Sequence, residues 1–292
     1  MAESPLVLRT LDELRTWRSA QTEIGFVPTM GALHAGHLAL VERASRDNAP
    51  VLLSIFVNPT QFNRPEDLAA YPRDEAGDLA QLRGTAAAAV WFPSPEDLYP
   101  GGVESAHYDL AGLDTRLEGA LRPGHFQGVA TVVDRLFTAC GATRAYFGLK
   151  DFQQVAVVRR LAELRGGTPE IVACPTLREA DGLAMSSRNR LLTPELRTAA
   201  AAIYQGLQWA AQEVAEFPAP PRALKRELRK EIERAPGLKV EAIDFVFADT
   251  LEAVADPDQP VDTYGRDVQT LISVYAGSVR LIDNAPLYLC RP

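Results

Sequence analysis

Cysteine is scarce in this sequence, with three among 292 residues. Cys140, Cys174 and Cys290 lie far apart and form no CxxC pair, so their spacing excludes the common zinc sites and a disulfide framework. Histidine is nearly as rare, with four residues. Isolated cysteines are typical of a reducing compartment, and we therefore expect a cytoplasmic protein.

Long apolar runs and an excess of positive charge are also lacking. No run approaches the roughly 18 apolar residues of a membrane-spanning helix, and residues 1–10 contain no apolar signal-peptide segment. The net charge is −8 at pH 7, which argues against nucleic acid or an anionic membrane surface as a partner. To bind a polyanion such as ATP, the chain would have to gather its cations in one cleft.

The sequence does contain apolar strands that alternate with periodic helices. The predicted strands are 24–27, 51–57, 87–92, 145–148 and 170–174, and the predicted helices are 38–46, 74–83, 129–138 and 152–164. Strands that are apolar on both faces are typical of a parallel sheet covered by helices. We therefore predict an α/β fold with a Rossmann-like parallel sheet.

The pattern changes after about Pro175. A helix is predicted from Thr193, as its N-cap, to Glu216, and a second at 222–234, whereas residues 240–282 show strand patterns. This α+β order differs from the alternation before it. We therefore predict two domains: a Rossmann-like domain at 1–176 and a smaller α+β domain at 177–292.

Two of the four histidines fall where a predicted strand passes into a helix, in the segment Met30–His37 (MGALHAGH). Ligands of parallel α/β sheets bind at the carboxyl ends of strands, where this loop is expected. His34 and His37 are three residues apart, so both rings can face one ligand, and a helix N-terminus favours phosphate. The alternative is a surface loop with two incidental histidines, which the rarity of histidine disfavours.

A second polar segment, Arg178–Asn189 (READGLAMSSRN), follows the predicted domain boundary. Ser186, Ser187 and Arg188 combine two hydroxyl groups with a guanidinium that can fork onto phosphate oxygens. A mobile clamp would be useful near a domain junction. A polar loop that turns at Asp181 explains the same residues without a function.

The segment Tyr146–Gln154 (YFGLKDFQQ) again joins a strand to a helix. It places the cation of Lys150 at a strand end. Asp151 either caps the following helix or contacts a ligand. Gln154 is one of two glutamines in this segment that could bind a small polar ligand.

Two further segments carry weaker signals. The apolar strand in Ile55–Phe62 (IFVNPTQF) stops in polar residues, and Gln61 there offers a donor and an acceptor, although Asn-Pro is also an ordinary turn signal. Leu121–Gly128 (LRPGHFQG) is typical of a flexible loop that could act as a lid. Arg122 in that loop could reach a triphosphate, and plain turn chemistry is the alternative.

In this order and spacing, the segments resemble the pantothenate synthetase (pantoate–β-alanine ligase) family of the HIGH-motif nucleotidyltransferase superfamily. The runs that carry the resemblance are PTMGALHAGH, FVNPTQF, YPR, RPGHFQGV, YFGLKDFQQ, DGLAMSSRN and VRLIDN. They extend from about Ile24 to Asn284 and cover nearly the whole chain. HAGH stands at the HIGH position, and Ser-Ser-Arg is the counterpart of the KMSKS loop.

The resemblance implies an ATP-dependent ligase. ATP and (R)-pantoate first give pantoyl-adenylate and pyrophosphate, and the amine of β-alanine then attacks the anhydride to release pantothenate and AMP. The family implies Mg²⁺ as the metal and a homodimer as the assembly. The protein supplies alignment and charge neutralisation, so no covalent protein nucleophile is needed.

The resemblance also assigns roles to residues of this chain. Catalytic roles fall on His34, His37, Lys150, Ser186, Ser187 and Arg188. Residues expected to contact ATP are Met30, His34, His37, Gly148, Lys150, Asp151, Met185, Ser186, Ser187 and Arg188. Gln61 and Gln154 are expected to bind pantoate, and Asp78 is expected to bind Mg²⁺.

The sequence departs from the family pattern at three positions. Ala35 and Leu149 stand where the family often has glutamate, and neither change removes a proposed catalytic group. Gly77 precedes Asp78 where relatives carry another carboxylate, which weakens the metal assignment.

Two other functions would account for part of the sequence. A nucleotidyltransferase acting on phosphopantetheine or nicotinamide mononucleotide would explain the histidine motif but not the glutamine pair. A regulatory nucleotide-binding protein without catalysis would be expected to lack a phosphate-binding cation, and none is missing.

Overall fold

The computed structural model describes residues 4–47, 50–63, 65–217 and 219–289, so Cys290 lies outside the described residues. The chain forms two compact units, the first ending at Thr176 and the second beginning at Leu177. Within the described residues, no helix is long and apolar enough to cross a membrane.

The first unit is built on a parallel sheet. Its strands in the described chain are β1 Leu6–Leu8, β2 Gly25–Thr29, β3 Val51–Ile55, β4 Ala87–Trp91, β5 Arg144–Gly148 and β6 Glu170–Cys174. They lie in the order β1-β4-β3-β2-β5-β6, and every pairing between neighbours is parallel. The predicted Rossmann-like sheet is therefore confirmed.

Helices connect these strands. In chain order they are α1 Leu11–Ser19, α2 Ala35–Arg46, α3 Pro65–Ala69, α4 Glu75–Leu82, α5 Pro95–Leu98, α6 Glu118–Leu121, α7 His125–Cys140 and α8 Phe152–Leu164. The sequence patterns predicted α2, α4, α7 and α8 but missed β1 and α1. The signal for α1 was present, because Thr10 and Glu13 form a capping box at its start.

The sheet has an apolar core on each face because successive strand residues point to opposite sides. Phe26 and Leu52 belong to the core on one face, and Val27 and Leu53 belong to the core on the other. This double burial explains why the strands are apolar throughout.

The order of the strands reverses beside β2. From β2 the chain moves outward through β3 and β4, and it then returns to place β5 on the other side of β2. The pairing of β2 with β5 covers only Gly25–Phe26 and Arg144–Ala145, whereas β2 pairs with β3 along its whole length. The carboxyl ends of β2 and β5 therefore flank a crevice at the switch point, where ligands of such sheets bind.

The second unit has an antiparallel sheet of β7 Leu238–Phe247, β8 Val268–Ala276 and β9 Val279–Tyr288, in that order. Its helices in the described chain are α9 Pro194–Ala199, α10 Ala202–Glu216 and α11 Pro221–Glu233. The predicted α+β order is confirmed. The single helix expected to begin at Thr193 is instead two helices, although Thr193 does cap the first of them.

Candidate active site

The two histidines of the HAGH segment lie where the loop after β2 passes into α2, with His37 in the first turn of that helix. His34 is the N-cap of α2, and its Nδ1 atom accepts a hydrogen bond of 3.1 Å from the Gly36 N–H. With Nδ1 as the acceptor, the proton of the neutral ring lies on Nε2, which becomes a donor. The centroids of the His34 and His37 rings are 4.0 Å apart, so the structure brings the pair together.

His37 has an unusual environment. Burial, reinforced by the nearby His34 and Lys150, lowers the pKa of His37 to about 3. Its Nδ1 atom is buried and has no hydrogen-bond partner in the described part of the chain. At neutral pH the ring is therefore uncharged. Its Nδ1 atom is an exception to the rule that buried polar atoms form hydrogen bonds.

Lys150 follows β5, across the crevice from the histidine loop. It lies in a 3-10 turn of Leu149–Asp151, and its Nζ atom is 3.5 Å from the Asp151 carboxylate. Asp151 stands at the N-cap position of α8, but its side chain makes no capping hydrogen bond. The capping interpretation of Asp151 is therefore wrong, and its observed partner is Lys150.

Gly148 ends β5 next to that turn. A Cβ atom built at this position would have no described atom within 4 Å beyond its chain neighbours. The protein therefore leaves space at Gly148 on the side where a side chain would point.

Gln61 lies in the turn after β3 and is oriented by its neighbours. Its Oε1 atom accepts from Asn58 Nδ2 at 3.1 Å, and its Nε2 atom donates to Met30 Sδ at 3.0 Å. Asn58 is itself buried and accepts a hydrogen bond of 2.5 Å from the Tyr99 hydroxyl. Because Met30 is a weak acceptor, the Gln61 N–H groups are the part of this amide best suited to a ligand oxygen.

The two glutamines at the start of α8 have different surroundings. Gln153 is buried and bonds to Leu113, Arg116 and Glu118 through their main-chain atoms. The Gln154 side chain is half-buried, and its amide takes part in none of the side-chain hydrogen bonds found among the described residues. Of this pair, Gln154 is thus the one whose amide remains for a ligand.

The segment Leu121–Gly128 is not the flexible lid that the sequence suggested. His125 starts α7, and both it and Phe126 are buried. His125 Nδ1 donates to the carbonyl oxygen of Gln61 at 2.8 Å, and Arg122 donates to the same oxygen at 3.2 Å. The segment is therefore a packed support for the Gln61 turn, and Arg122 takes part in that support.

Asp78 is buried beneath the histidine loop. Its two carboxylate oxygens accept from the backbone N–H groups of Ala32 and Leu33 at 3.0 and 2.7 Å. The described residues contain no group of three or more His, Cys, Asp or Glu that could hold a metal ion. They therefore do not form a protein-only Mg²⁺ site around Asp78.

In the second unit, the polar segment Arg178–Asn189 is anchored to the sheet. Arg178 forms two hydrogen bonds with Asp283, at 2.7 and 3.0 Å, and its guanidinium lies 3.7 Å from the Tyr204 ring centroid. The predicted turn at Asp181 is present, with Gly182 in the left-handed region at φ +92.

Beyond that turn, Ser186 caps a short 3-10 helix of Ser187–Leu191 and accepts from the Arg188 N–H. Met185, Ser186, Ser187 and Arg188 are all half-buried. The segment therefore has a fixed base and a partly accessible tip.

A model of the family described as pantoate-beta-alanine ligase matches residues 6–286 of this chain. The chain belongs to this family. The match extends through both units and confirms the resemblance that the motifs indicated.

Individual relatives agree with the family model. The chain is 43% identical to a pantothenate synthetase of Herpetosiphon aurantiacus over 278 residues, which cover 95% of this chain and 98% of that protein. It is 46% identical to a pantothenate synthetase of Gluconobacter oxydans over 281 residues, with coverages of 96% and 99%.

Solved structures of pantoate-beta-alanine ligases have the same fold. The pantothenate synthetase of Thermus thermophilus matches with a TM-score of 0.86 and 41% identity over 97% of this chain and 99% of that chain. The pantoate-beta-alanine ligase of Francisella tularensis matches with a TM-score of 0.79 and 32% identity, with coverages of 97% and 98%. The latter was solved in complex with beta-gamma ATP and beta-alanine.

Sequence reasoning missed several residues that support this family site. Asn58 was interpreted as part of a turn, and Tyr99 and Gln81 were not singled out. Asn58 and Tyr99 orient Gln61, and Gln81 Nε2 donates to the carbonyl oxygen of Leu33 at 2.6 Å. The sequence offered one indication of these supporting residues, which is that the apolar strand β3 is followed by polar residues. That pattern includes Asn58 as well as Gln61.

Proposed function

We propose that this protein joins (R)-pantoate to β-alanine in an ATP-dependent reaction that passes through pantoyl-adenylate and releases pyrophosphate and AMP. Membership of the pantoate-beta-alanine ligase family supports the reaction, and the ligands of the Francisella tularensis relative support ATP and β-alanine as substrates. The observation that carries the proposal is the grouping of His34, His37, Lys150 and Gln61 in the segments that follow β2, β3 and β5.

In the first step, a pantoate carboxylate oxygen attacks the α-phosphorus of ATP and pyrophosphate leaves. We assign His34, His37 and Lys150 to the ATP phosphates, with HAGH in the role of the HIGH signature. The Nε2–H of His34 and the ammonium of Lys150 can stabilise charge that develops during this transfer. His37 contributes as a neutral ring, because its pKa is lowered to about 3.

We assign Gln61 and Gln154 to pantoate. Gln61 presents N–H groups held in place by Asn58, and these suit the hydroxyl or carboxylate oxygens of pantoate. Met30, Gly148 and Asp151 complete the ATP contacts of the first unit, and the open space beside Gly148 supports its part.

The second unit contributes Met185, Ser186, Ser187 and Arg188 to ATP in this proposal. The support is chemical, since hydroxyl groups and a guanidinium are suited to phosphate oxygens. In this proposal, residues 1–176 bind pantoate and part of ATP, and residues 177–292 supply the KMSKS-like loop.

Mg²⁺ is proposed as the metal that accompanies ATP. It neutralises phosphate charge when bound, and Mg²⁺ in such sites is held largely by substrate phosphates and water. Because Asp78 already accepts two backbone hydrogen bonds, the phosphate oxygens are the better ligands.

In the second step, the amine of β-alanine attacks the carbonyl carbon of pantoyl-adenylate. The C–N bond forms, the bond to the AMP oxygen breaks, and the amine loses a proton. The proposal requires no covalent intermediate with a protein side chain.

We also propose a cytoplasmic homodimer, which family resemblance supports. The chain has a mass of 31.8 kDa, so light scattering in solution should give about twice that value. A single-chain mass would contradict the dimer.

Pyrophosphate release from ATP and Mg²⁺ tests the reaction directly. We expect release with pantoate and sustained turnover once β-alanine is added. Matched reactions would replace pantoate by phosphopantetheine or nicotinamide mononucleotide. Release with one of those compounds, and none with pantoate, would favour the related nucleotidyltransferase activity instead.

A further inference from the structure

The loop before His34 has a backbone that needs support. Gly31 and Ala32 both lie in the left-handed region, at φ +78 and +49. This region is unfavourable for alanine, so surrounding contacts must hold the loop in place.

Every backbone N–H from Gly31 to Leu33 is held by a side chain. Gly31 donates to Thr29 Oγ1 at 3.2 Å, and Ala32 and Leu33 donate to the two oxygens of Asp78. Adjacent N–H groups of this kind form an anion-binding concavity. The protein fills this concavity with its own carboxylate, so these N–H groups are not offered to a phosphate.

Gln81 acts on the same loop from the next turn of α4. Its Nε2 atom donates to the Leu33 carbonyl oxygen, so the N–H and the C=O of Leu33 are both held by one helix. The next residue is His34, the N-cap of α2. Gly31 also suits this arrangement, since a Cβ there would lie 2.9 Å from Asp78 Oδ2.

We propose that Asp78 and Gln81 form a positioning clamp that fixes the histidine loop for adenylate formation, and that Asp78 does not act as a Mg²⁺ ligand. The inference rests on the proposed function for its kinetic consequence. The geometry of the clamp rests on the hydrogen bonds alone.

Asp78→Asn is the first test. The amide keeps the size of the side chain but turns an NH₂ group toward one of the two backbone N–H groups, so one bond is lost. We expect single-turnover pyrophosphate release to slow by roughly 10- to 100-fold, because small misplacements of reacting groups have large effects on rate. The Mg²⁺ concentration for half-maximal rate should not change.

Asp74→Asn is the matched control on the same helix. Asp74 is exposed and caps α4, and asparagine caps helices as well as aspartate does. This variant should keep the wild-type rate and the wild-type Mg²⁺ dependence.

Gln81→Met keeps the clamp testable if Asp78→Asn does not fold. It removes the donor to Leu33 while preserving bulk, and we expect a smaller loss of rate in the same step. Hydrogen exchange of peptides that cover residues 31–37 should be faster in both variants than in the Asp74→Asn control.

The outcomes separate the possibilities. A raised Mg²⁺ requirement, with the rate restored by excess Mg²⁺, would overturn the clamp and make Asp78 a metal ligand. Wild-type rate and wild-type hydrogen exchange in both variants would also overturn it. If the wild-type protein released no pyrophosphate with pantoate, the proposed function would fail, while faster exchange in the variants would still support the clamp.

Discussion

Replacing Gly128 with alanine should impair the use of pantoate, because α7 contacts the turn that holds Gln61. A Cβ at position 128 would lie 2.3 Å from the Thr60 carbonyl oxygen, whereas ordinary contact begins at 3.4 Å. The helix and the turn would have to separate by roughly 1 Å, a displacement that can lower a rate by about 10²-fold. The separation would also lengthen the 3.2 Å hydrogen bond from Asn58 to the Gly128 carbonyl oxygen.

Two measurements follow from this geometry. Initial rates of pyrophosphate release at varied pantoate and saturating ATP should show kcat/KM for pantoate reduced by roughly 10- to 100-fold. Thermal or urea unfolding should show a loss of about 1–3 kcal/mol in stability, as expected for overpacking. The KM for ATP should change little, because neither His34 nor Lys150 belongs to the displaced turn.

Gly101→Ala is the matched control, since a Cβ at Gly101 would meet no atom within 4 Å and the residue is exposed. It should behave as wild type. If folded Gly128→Ala kept the wild-type kcat/KM for pantoate, the argument that the turn positions Gln61 would be refuted.

Further predictions concern single residues. His34→Ala and Lys150→Ala should each slow adenylate formation by roughly 10²–10³ in single-turnover pyrophosphate release, and a near-normal rate would exclude the role of that residue. The ring of His37 should stay neutral down to about pH 5 in an NMR titration, because its pKa is lowered to about 3; an inflection near the usual value of about 6.5 would contradict its burial. Because the unfolded chain binds the His37 proton at a higher pH than the folded protein does, the free energy of unfolding should be highest above about pH 6.5. It should decrease as the pH falls from there toward 3. Asp283→Ala should lower the free energy of unfolding by roughly 3 kcal/mol in urea, since Arg178 would lose its buried partner; a loss well below 1 kcal/mol would argue against that pair.

Much of the fold was visible in the periodicity of the sequence. The predicted helix at 152–164 and the predicted strand at 170–174 agree with α8 and β6 to the residue. The strand β1 was missed because it has only three residues and buries little apolar surface on its own. Its place depends on pairing with β4, some eighty residues later in the chain.

The site was predictable where its chemistry is local. The spacing of His34 and His37 already implied that their rings would meet, and they do. Asp78 and Gln81 touch the same loop from more than forty residues away, so no local pattern could reveal the contact. Asp78 and Gln81 reach this loop only when the fold packs α4 against it.

The segment around Pro123 shows the opposite error. Pro-Gly signals a turn, and the signal is correct, because Gly124 lies in the left-handed region before α7. The inference of a mobile lid was wrong because His125 and Phe126 pack inward. Turn chemistry describes the backbone and does not reveal whether the neighbouring side chains are buried.

The separate cores of the two units have a consequence for unfolding experiments. The two core clusters of the first unit draw their residues from Leu8 to Cys174, and the cluster of the second draws its residues from Leu183 to Leu287. Chains with separate cores often do not melt in one cooperative step. Calorimetry of this protein should therefore resolve two transitions, with Gly128→Ala shifting one and Asp283→Ala shifting the other.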